Sequence, residues 1–484
     1  MEGLEISEVM LSEVLMDNAN KRIDSDYFKK QFLNFFDNVP SLRPLGDFVE
    51  DGYRVVYENT EIIDVQIAEE KGCPVFLQAT DINTPFINRN NLHYVDETEW
   101  VRYPKGRIKK GEILIEVKGK VEKVAIVPDD FPEKTLVSGS LYKMSVNKKI
   151  SKHVLLCYLI SKYGVAFKDR YKSNLLISFI SKSDLYRIPV PDFSVEFQNK
   201  IDAVFTRIID CQTQSKILYA EAEGTLLEEL GLKETDNSVI GMPYCDVLTC
   251  NNDSSAPCVA IRSLSDFVNS GRLDAEYYQP KYDKIETVIQ SYKGGSDVVS
   301  SFFTQNKTAC TFDKQVYKYI EIGDINIGNG EVNYNLIPTE ELPANAKIIV
   351  NKGDLLVSKV RPYRGAVAIV DFAGKDIIAS GAFTVLQEKQ GMKKEVLQVL
   401  LRTSFYKDWL LKWNVGSSYP VIKDDDILNL LVPKISENIQ HQIADKVQES
   451  FTLKAESKRL LNLAKTAVET AIEQGESAAL RLLD

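Results

Sequence analysis

The feature that most limits the fold is an internal duplication. Ile188–Ile201 reads IPVPDFSVEFQNKI, and Leu430–Ile443 reads LLVPKISENIQHQI. Pro191 pairs with Pro433, Gln198 with Gln440 and Ile201 with Ile443, each 242 positions on. An offset of 242 or 243 also runs back through the region before each proline. There PVFLQATDIN (Pro74–Asn83) answers YKYIEIGDIN (Tyr317–Asn326), and KGEILIEV (Lys110–Val117) answers KGDLLVSK (Lys352–Lys359). VAIV recurs at Val124–Val127 and Val367–Val370, and TLVSGSLYKM (Thr135–Met144) answers IIASGAFTVL (Ile377–Leu386). A period this long means two copies of a domain, not a solenoid.

Within each copy the order is the same. Short β-like runs broken by Gly, Pro and Asn come first. Lys-Gly-acid ahead of an apolar run predicts a turn entering a strand, and Ser-Gly between two runs predicts a turn or bulge. A helical stretch follows, Lys152–Tyr163 in the first copy and Lys393–Trp413 in the second. Its apolar faces hold Val154, Leu155, Tyr158 and Leu159, and then Val396, Leu397, Leu400, Leu401 and Trp409. A proline-marked segment leads into a long helix, which cannot begin before that proline. The first long helix has a stripe of Ile201, Val204, Phe205, Ile208, Cys211, Leu218, Ala222, Leu226 and Leu227. The second has Ile443, Val447, Phe451, Leu460, Leu461, Ala464, Val468 and Ile472, in a helical run to about Gln474. Seams this narrow suit helix pairing. About thirty-three residues at ~1.5 Å each make a rod of ~50 Å. Antiparallel pairing would put the β-rich copies at opposite ends, a span comparable to one or two turns of B-DNA at ~34 Å each.

The expected fold is therefore α+β: two tandem mixed α/β domains, each followed by a long α-helix, the two helices pairing as an antiparallel coiled coil. The expected boundaries are 1–195, 196–234 (helix), 235–270 (polar linker), 271–438 and 439–484 (helix). Met1–Asn38 reads as mostly helical, with Ile23, Tyr27, Phe28, Phe32, Phe35 and Phe36 near helical spacing. RIDSDYF there returns as RLDAEYY, so Arg22, Asp24 and Tyr27 match Arg272, Asp274 and Tyr277 at an offset of 250. Aspartate ahead of an apolar face is a helix N-cap signal.

Charge decides what such a frame carries. The net charge of −10 argues against nucleic acid as a partner, but the charge is segregated. Val101–Lys123 holds eight Lys/Arg against three acids, Lys143–Lys172 eight against one, and Lys347–Arg364 five against one. A DNA phosphate feels that local balance. In the first copy Lys105, Arg107, Lys109, Lys118, Lys120 and Lys123 flank two β-like runs. In the second, Lys359, Arg361, Tyr363 and Arg364 form a basic, aromatic loop between two strands. Lysine on a strand edge also serves to block aggregation, which weighs on the scattered lysines. Arginine, by contrast, can bond two acceptors of guanine at once. Ser417, Ser418 and Tyr419 in Gly416–Pro420 make a second loop, its hydroxyls suited to phosphate.

Patterns for catalysis are scarce. GxxxxGK[ST], HExxH and GxSxG do not occur. His93, His153 and His441 are scattered and unmatched between copies. Seven cysteines form no CxxC pair, which suits reduced thiols in a cytoplasm, and Cys245, Cys250 and Cys258 read as linker thiols. No apolar run approaches the ~20 residues that span a bilayer, and the N-terminus does not read as a secretory signal. One enzymatic alternative is a Mg²⁺-dependent nuclease using Asp96, Glu116 and Lys118. The second copy reads Val357-Ser358-Lys359 there and lacks the acid, and alternation along a strand would put Glu116 and Lys118 on one exposed face without catalysis. Another alternative is a scaffold joining two proteins without DNA.

On IPVPDFSVEFQNKI, LLVPKISENIQHQI and GSSYPVIKDDDILNLLVP, in this duplicated order, the sequence resembles the DNA-specificity (S) subunit of type I restriction–modification systems. Pro189, Pro191 and Gln198 keep part of the family's helix-start pattern in the first copy, and Pro433 and Gln440 keep less of it in the second. The resemblance implies two target-recognition domains, each reading half of a split site in double-stranded DNA. It implies helices that fix the spacer and hold two methyltransferase subunits, through Ile201, Phe205, Ile208, Leu218, Leu226, Ile443, Val447, Leu461 and Val468 as the pairing seam. It implies a chain that is not itself an enzyme and carries no cofactor or metal. S-adenosylmethionine would sit on the partners, which methylate adenine, and a motor-nuclease subunit would cut unmodified DNA.

Overall fold

The computed structural model describes residues 8–16, 22–25, 27–32, 35, 39, 41–57, 60–64, 67–68, 71–89, 92–173, 178–232, 261–415 and 419–483. They form two compact units, 1–210 with 456–484, and 211–455. The expected linker 235–270 falls largely outside the described residues, as do Cys245, Cys250 and Cys258; its last part, Leu264–Ser270, is helical.

The first unit contains β1 (Leu42–Pro44), β2 (Val49–Tyr53), β3 (Val75–Leu77), β4 (His93–Tyr94), β5 (Ile113–Glu116), β6 (Val124–Ile126), β7 (Thr135–Val137), β8 (Leu141–Val146) and β9 (Pro189–Pro191). Its helices include α1 (Lys152–Ile160), α2 (Lys162–Tyr171) and the first half of α3 (Val195–Glu229). Strands β2-β8-β5-β6 form an antiparallel sheet. Strands β4-β3-β7 form a second sheet in which β3 and β7 run parallel. A two-stranded ribbon joins β1 to β9.

The second unit repeats the plan with β10 (Ser296–Val298), β11 (Phe303–Asn306), β12 (Val316–Ile320), β13 (Asn335–Pro338), β14 (Ala346–Ile349), β15 (Leu355–Ser358), β16 (Val367–Ile369), β17 (Ile377–Ser380), β18 (Phe383–Glu388) and β19 (Leu431–Pro433). Its sheets run β11-β18-β15-β16 and β13-β12-β17-β14, again with one parallel pair, β12 with β17. The ribbon is β10 with β19. Helices α4 (Lys394–Arg402) and α5 (Ser404–Leu410) follow, then α6 (Glu437–Gln474), whose second half, with α7 (Glu476–Leu483), belongs to the first unit. Repeated letters thus correspond to repeated pairing.

The repeated glutamines have a shared task. Gln198 Oε1 accepts from the Ser151 amide at 2.6 Å, and Gln440 Oε1 accepts from the Lys393 amide at 2.8 Å. Each amide group also donates backward, to Phe193 O and to Ile435 O. One side chain therefore satisfies orphan backbone groups at the starts of two helices and locks their angle. Arg22 and Arg272 repeat as clasps. Each pairs with its aspartate, Asp24 or Asp274, and stacks on its tyrosine, Tyr27 or Tyr277, at 5.1 Å. Each also donates to a carbonyl at the root of a later loop, Lys172 O or Asn414 O, both at 2.9 Å. Asp24 and Asp274 additionally accept from the Tyr27 and Tyr277 amides, so the cap and the clasp share one carboxylate.

Three expectations need correction. The stretches Lys152–Tyr163 and Lys393–Trp413 are not single helices. Buried Ser161 and Thr403 donate to the carbonyls of Tyr158 and Leu400, three residues back, and end α1 and α4. The second long helix does not reach 484 unbroken: Gly475, at φ 88°, stops α6 in the left-handed conformation that glycine tolerates. The pairing stripe also shifts its phase. In the first unit Ile201, Phe205 and Ile208 bury against Leu460 and Val468, with Leu461 half-buried beside them. In the second, Leu226 buries in one core with Ile443 and Val447. Leu218 is only half-buried, and its neighbour Tyr219 takes the inward place, in the series Ser215, Tyr219, Ala222, Leu226. Ser215 also meets Ser450 in a buried hydroxyl pair at 2.9 Å. No helix among the described residues is long and apolar enough to cross a membrane.

Candidate nucleic-acid interface

In the second unit β15 and β16 are joined by the loop that holds Lys359, Arg361, Tyr363 and Arg364. Arg361 adopts left-handed backbone, φ 49° and ψ 55°, and Pro362–Arg364 makes a single 3-10 turn closed by Gly365 at φ 70°. A strap of chain, Tyr419–Lys423, runs alongside. The Arg361 amide donates to Pro420 O at 2.7 Å, the Ile422 amide donates to Lys359 O at 3.0 Å, and Val360 bridges Val421. The guanidinium of Arg361 lies 4.5 Å from the centre of the Tyr419 ring. The structure thus joins two candidates that lie far apart in sequence. Tyr363 (38% exposed), Arg364 and Tyr419 (59%) face outward on the same edge. Ser417 and Ser418 lie outside the described residues.

The base of this loop is held from below. Lys359 pairs with Asp424 at 3.1 Å, and Thr384 donates to the same carboxylate at 2.6 Å. Burial would raise the Asp424 carboxyl, but the Thr384 hydroxyl and the Lys359 ammonium keep it below its usual range. Lys359 is therefore committed to the fold. Arg402, on α4, forks into the Tyr219 hydroxyl at 2.7 Å, Gly365 O at 3.0 Å and Ile327 O at 2.9 Å. A fixed base under an exposed arginine and two tyrosines makes a preorganised contact surface.

The first unit builds the same strap. The Gly119 amide donates to Ser178 O at 3.0 Å, the Ile180 amide donates to Val117 O at 3.0 Å, and Lys118 bridges Phe179. These positions are the Arg361, Pro420, Ile422, Val360 and Val421 positions less 242. Gly119, at φ 110°, stands where Arg361 does. Lys105, Lys109, Lys118 and Lys120 are exposed, with Lys105 5.4 Å from the Tyr53 ring. Arg107 and Lys123 are turned inward, against expectation. Arg107 stacks on Trp100 at 4.3 Å and gives Nε and Nη2 to the Trp100 carbonyl. Lys123 gives Nζ to Ala79 O at 2.9 Å. Neighbouring acceptors have claimed both donors.

Under this loop lies Lys168, fully buried, donating Nζ to Glu122 O at 2.7 Å. Burial pulls its ammonium down from 10.5 to about 8, against the pull of Glu116 and Glu122. A folded value below the unfolded one means that the charged form costs stability. The cost is full below about pH 8 and fades as pH rises toward 10.5. Lys168→Met is expected to stabilise the protein by about 2 kcal/mol at pH 7, the relief of charge burial less about 1 kcal/mol for the lost hydrogen bond. Melting curves at several pH values check this: the gain should vanish as pH approaches about 10.

The nuclease alternative finds no assembly. Asp96 is the N-cap of the helix Glu97–Arg102 and accepts from the Thr98 amide at 2.9 Å. Glu116 is buried, not on an exposed face, and accepts from the Glu122 and Lys123 amides at 3.1 and 3.3 Å. Both carboxylates hold their own backbone, and Lys118 lies on the loop, bridged to the strap at Phe179. Among the described residues no three His, Cys, Asp or Glu side chains group so as to hold a metal ion.

No family model matches the chain, and no curated protein sequence matches it. Solved structures do. An S subunit of a type I restriction-modification system from M. genitalium is 12% identical, with a TM-score of 0.40 over 90% of this chain and 96% of that one. An HsdS subunit from Thermoanaerobacter tengcongensis is 12% identical, with a TM-score of 0.25 over 90% and 98%. A chain described under complex assembly and conformational transition of the type I R-M system is 12% identical, with a TM-score of 0.27 over 90% and 99%.

Proposed function

We propose that the chain is the DNA-specificity subunit of a type I restriction–modification system. Each unit reads one half of a bipartite site in double-stranded DNA, and α3 and α6 set the spacer and hold two methyltransferase subunits. Those subunits carry S-adenosylmethionine and methylate adenine, and a motor-nuclease subunit joins where the system also cuts. The chain itself performs no catalysis and acts in the cytoplasm.

One observation carries this reading: the loop-and-strap edge is built twice, 242 residues apart, with the same backbone bonds and with basic residues exposed beside it. Two copies of a contact edge on one chain suit a ligand with two separate halves. Lys105, Lys109, Lys118 and Lys120 of the first unit, with Arg361 and Arg364 of the second, supply the phosphate-neutralising charge that the acidic chain as a whole lacks. A scaffold that never meets DNA has no use for that segregation. The test is co-expression with neighbouring genes, purification, and methylation-sensitive sequencing of host DNA. A co-purifying methyltransferase and a single bipartite methylated motif are expected. A chain that purifies alone, with no motif and no salt-dependent DNA binding, would overturn the proposal.

A further inference from the structure

We infer that Arg54 is the base-reading residue of the first unit, the counterpart in role of Arg361 in the second. This rests on the reading of the chain as a DNA-specificity subunit. The two straps keep the same backbone bonds, yet the position of Arg361 is Gly119 in the first unit, so at that position no side chain reaches out. A guanidinium nevertheless arrives at the first strap from another element. Arg54, just past β2, lies 4.8 Å from the centre of the Phe179 ring, as Arg361 lies 4.5 Å from Tyr419. Phe179 is the strap residue that bridges Lys118.

The surroundings favour a contact over a structural brace. Arg54 Nε donates to Gly139 O at 2.6 Å, which fixes the head of the side chain. Gly139 belongs to the Ser-Gly turn, and a Cβ there would stand 2.9 Å from Val55 O, so the close approach of the two segments requires glycine. Among the described residues neither Nη of Arg54 has a hydrogen-bond partner, and no carboxylate pairs with it. Its ring partner and its Nε bond set the plane of the guanidinium and leave one two-pronged edge open. That edge matches O6 and N7 of guanine in the major groove, the geometry by which arginine discriminates a base. Arg54 also connects the exposed lysines. Its neighbour in sequence, Tyr53, sits under Lys105, and its ring partner Phe179 bridges Lys118 through the backbone.

The experiment uses the purified complex with its methyltransferase partners. Its probes are duplexes carrying the methylated motif intact, or with one half scrambled. Arg54→Ala is expected to weaken binding to the intact site by about 5- to 150-fold and to abolish discrimination in one half only, with the other half read as before. Arg54→Lys keeps the charge and loses the fork. It should lose the same discrimination while the dependence of affinity on salt stays that of the wild type. Three results would overturn the inference: discrimination intact in both halves, discrimination lost equally in both, or a salt slope lowered by about one with discrimination retained, which marks a phosphate contact. A wild-type complex with no bipartite preference would instead overturn the specificity-subunit reading itself, and this inference with it.

Discussion

Lys143→Val is expected to destabilise the first unit by about 3–5 kcal/mol, because it strands a buried carboxylate. Lys143 Nζ lies 2.9 Å from Glu112, with side chains only 5% and 2% exposed. Glu112 also accepts from the Lys109 amide at 2.8 Å and from Ser145 at 3.1 Å. Those bonds orient the carboxylate without neutralising it. The second unit shows a different solution at the same place. Asp354 accepts from the Asn351 amide, Asn306 and Gln387, and the position of Lys143 is Val385. Glu112→Gln in the Lys143→Val background should therefore recover a substantial part of the loss, since a neutral amide leaves no bare charge. Hydrogen exchange resolved by peptide measures this, with protection falling across β5, β8 and α1 and unchanged in the second unit. Equal loss in both units, or a single mutant as stable as the double, would contradict the account.

The acid of the Lys-Gly-acid turn was legible as a turn marker, and it is one: Glu112 and Asp354 each accept from an amide three residues back, across Gly111 and Gly353 at φ 79° and 97°. Repetition carried most of the architecture, because pairing register follows side-chain alternation, which both copies keep. Gln198 and Gln440 stood out as repeated letters. Their bonds to Ser151 and Lys393 did not, because contacts across some fifty residues leave no local signal. The same limit hid Arg54, whose neighbours in sequence say nothing about Phe179. Leu218 and Tyr219 mark a different failure. A stripe on a long helix drifts against a seven-residue repeat, and only packing decides which of two adjacent apolar residues turns inward. Ser161 and Thr403 show the competition of a side-chain hydroxyl with the helix ladder, which composition cannot weigh against burial. Among the DNA candidates, charge was read correctly as charge. Whether a given cation was free depended on a nearby carbonyl, which took Arg107 and Lys123, or a carboxylate, which took Lys359.

Replacement of Arg361 by glycine is expected to move stability and binding apart. At φ 49° it holds a conformation that costs a side-chain-bearing residue about 1–2 kcal/mol, and the first unit places glycine at this point. Arg361→Gly relieves that strain, but it adds about 0.5–1 kcal/mol of unfolded-state entropy cost and loses about 0.5–1 kcal/mol of stacking on Tyr419, so the melting temperature should barely change. Binding should not be spared. Loss of the guanidinium stacked on Tyr419 is expected to weaken the complex on its intact site by about 5- to 150-fold, with discrimination lost in one half. Arg361→Ala should lose binding to the same extent while keeping the strain, leaving it less stable than the glycine variant by about 1 kcal/mol. Titration of both variants against duplexes scrambled in either half, beside their melting curves, makes the comparison. If Arg361→Gly kept its discrimination, the loop would be a turn that tolerates strain for no contact. If both halves suffered alike, Arg361 would be holding the fold instead of reading the DNA. The strap bonds hold the Arg361 backbone and the guanidinium stacks on Tyr419, so a loss of discrimination without a loss of stability would mark the side chain as a contact and not a brace.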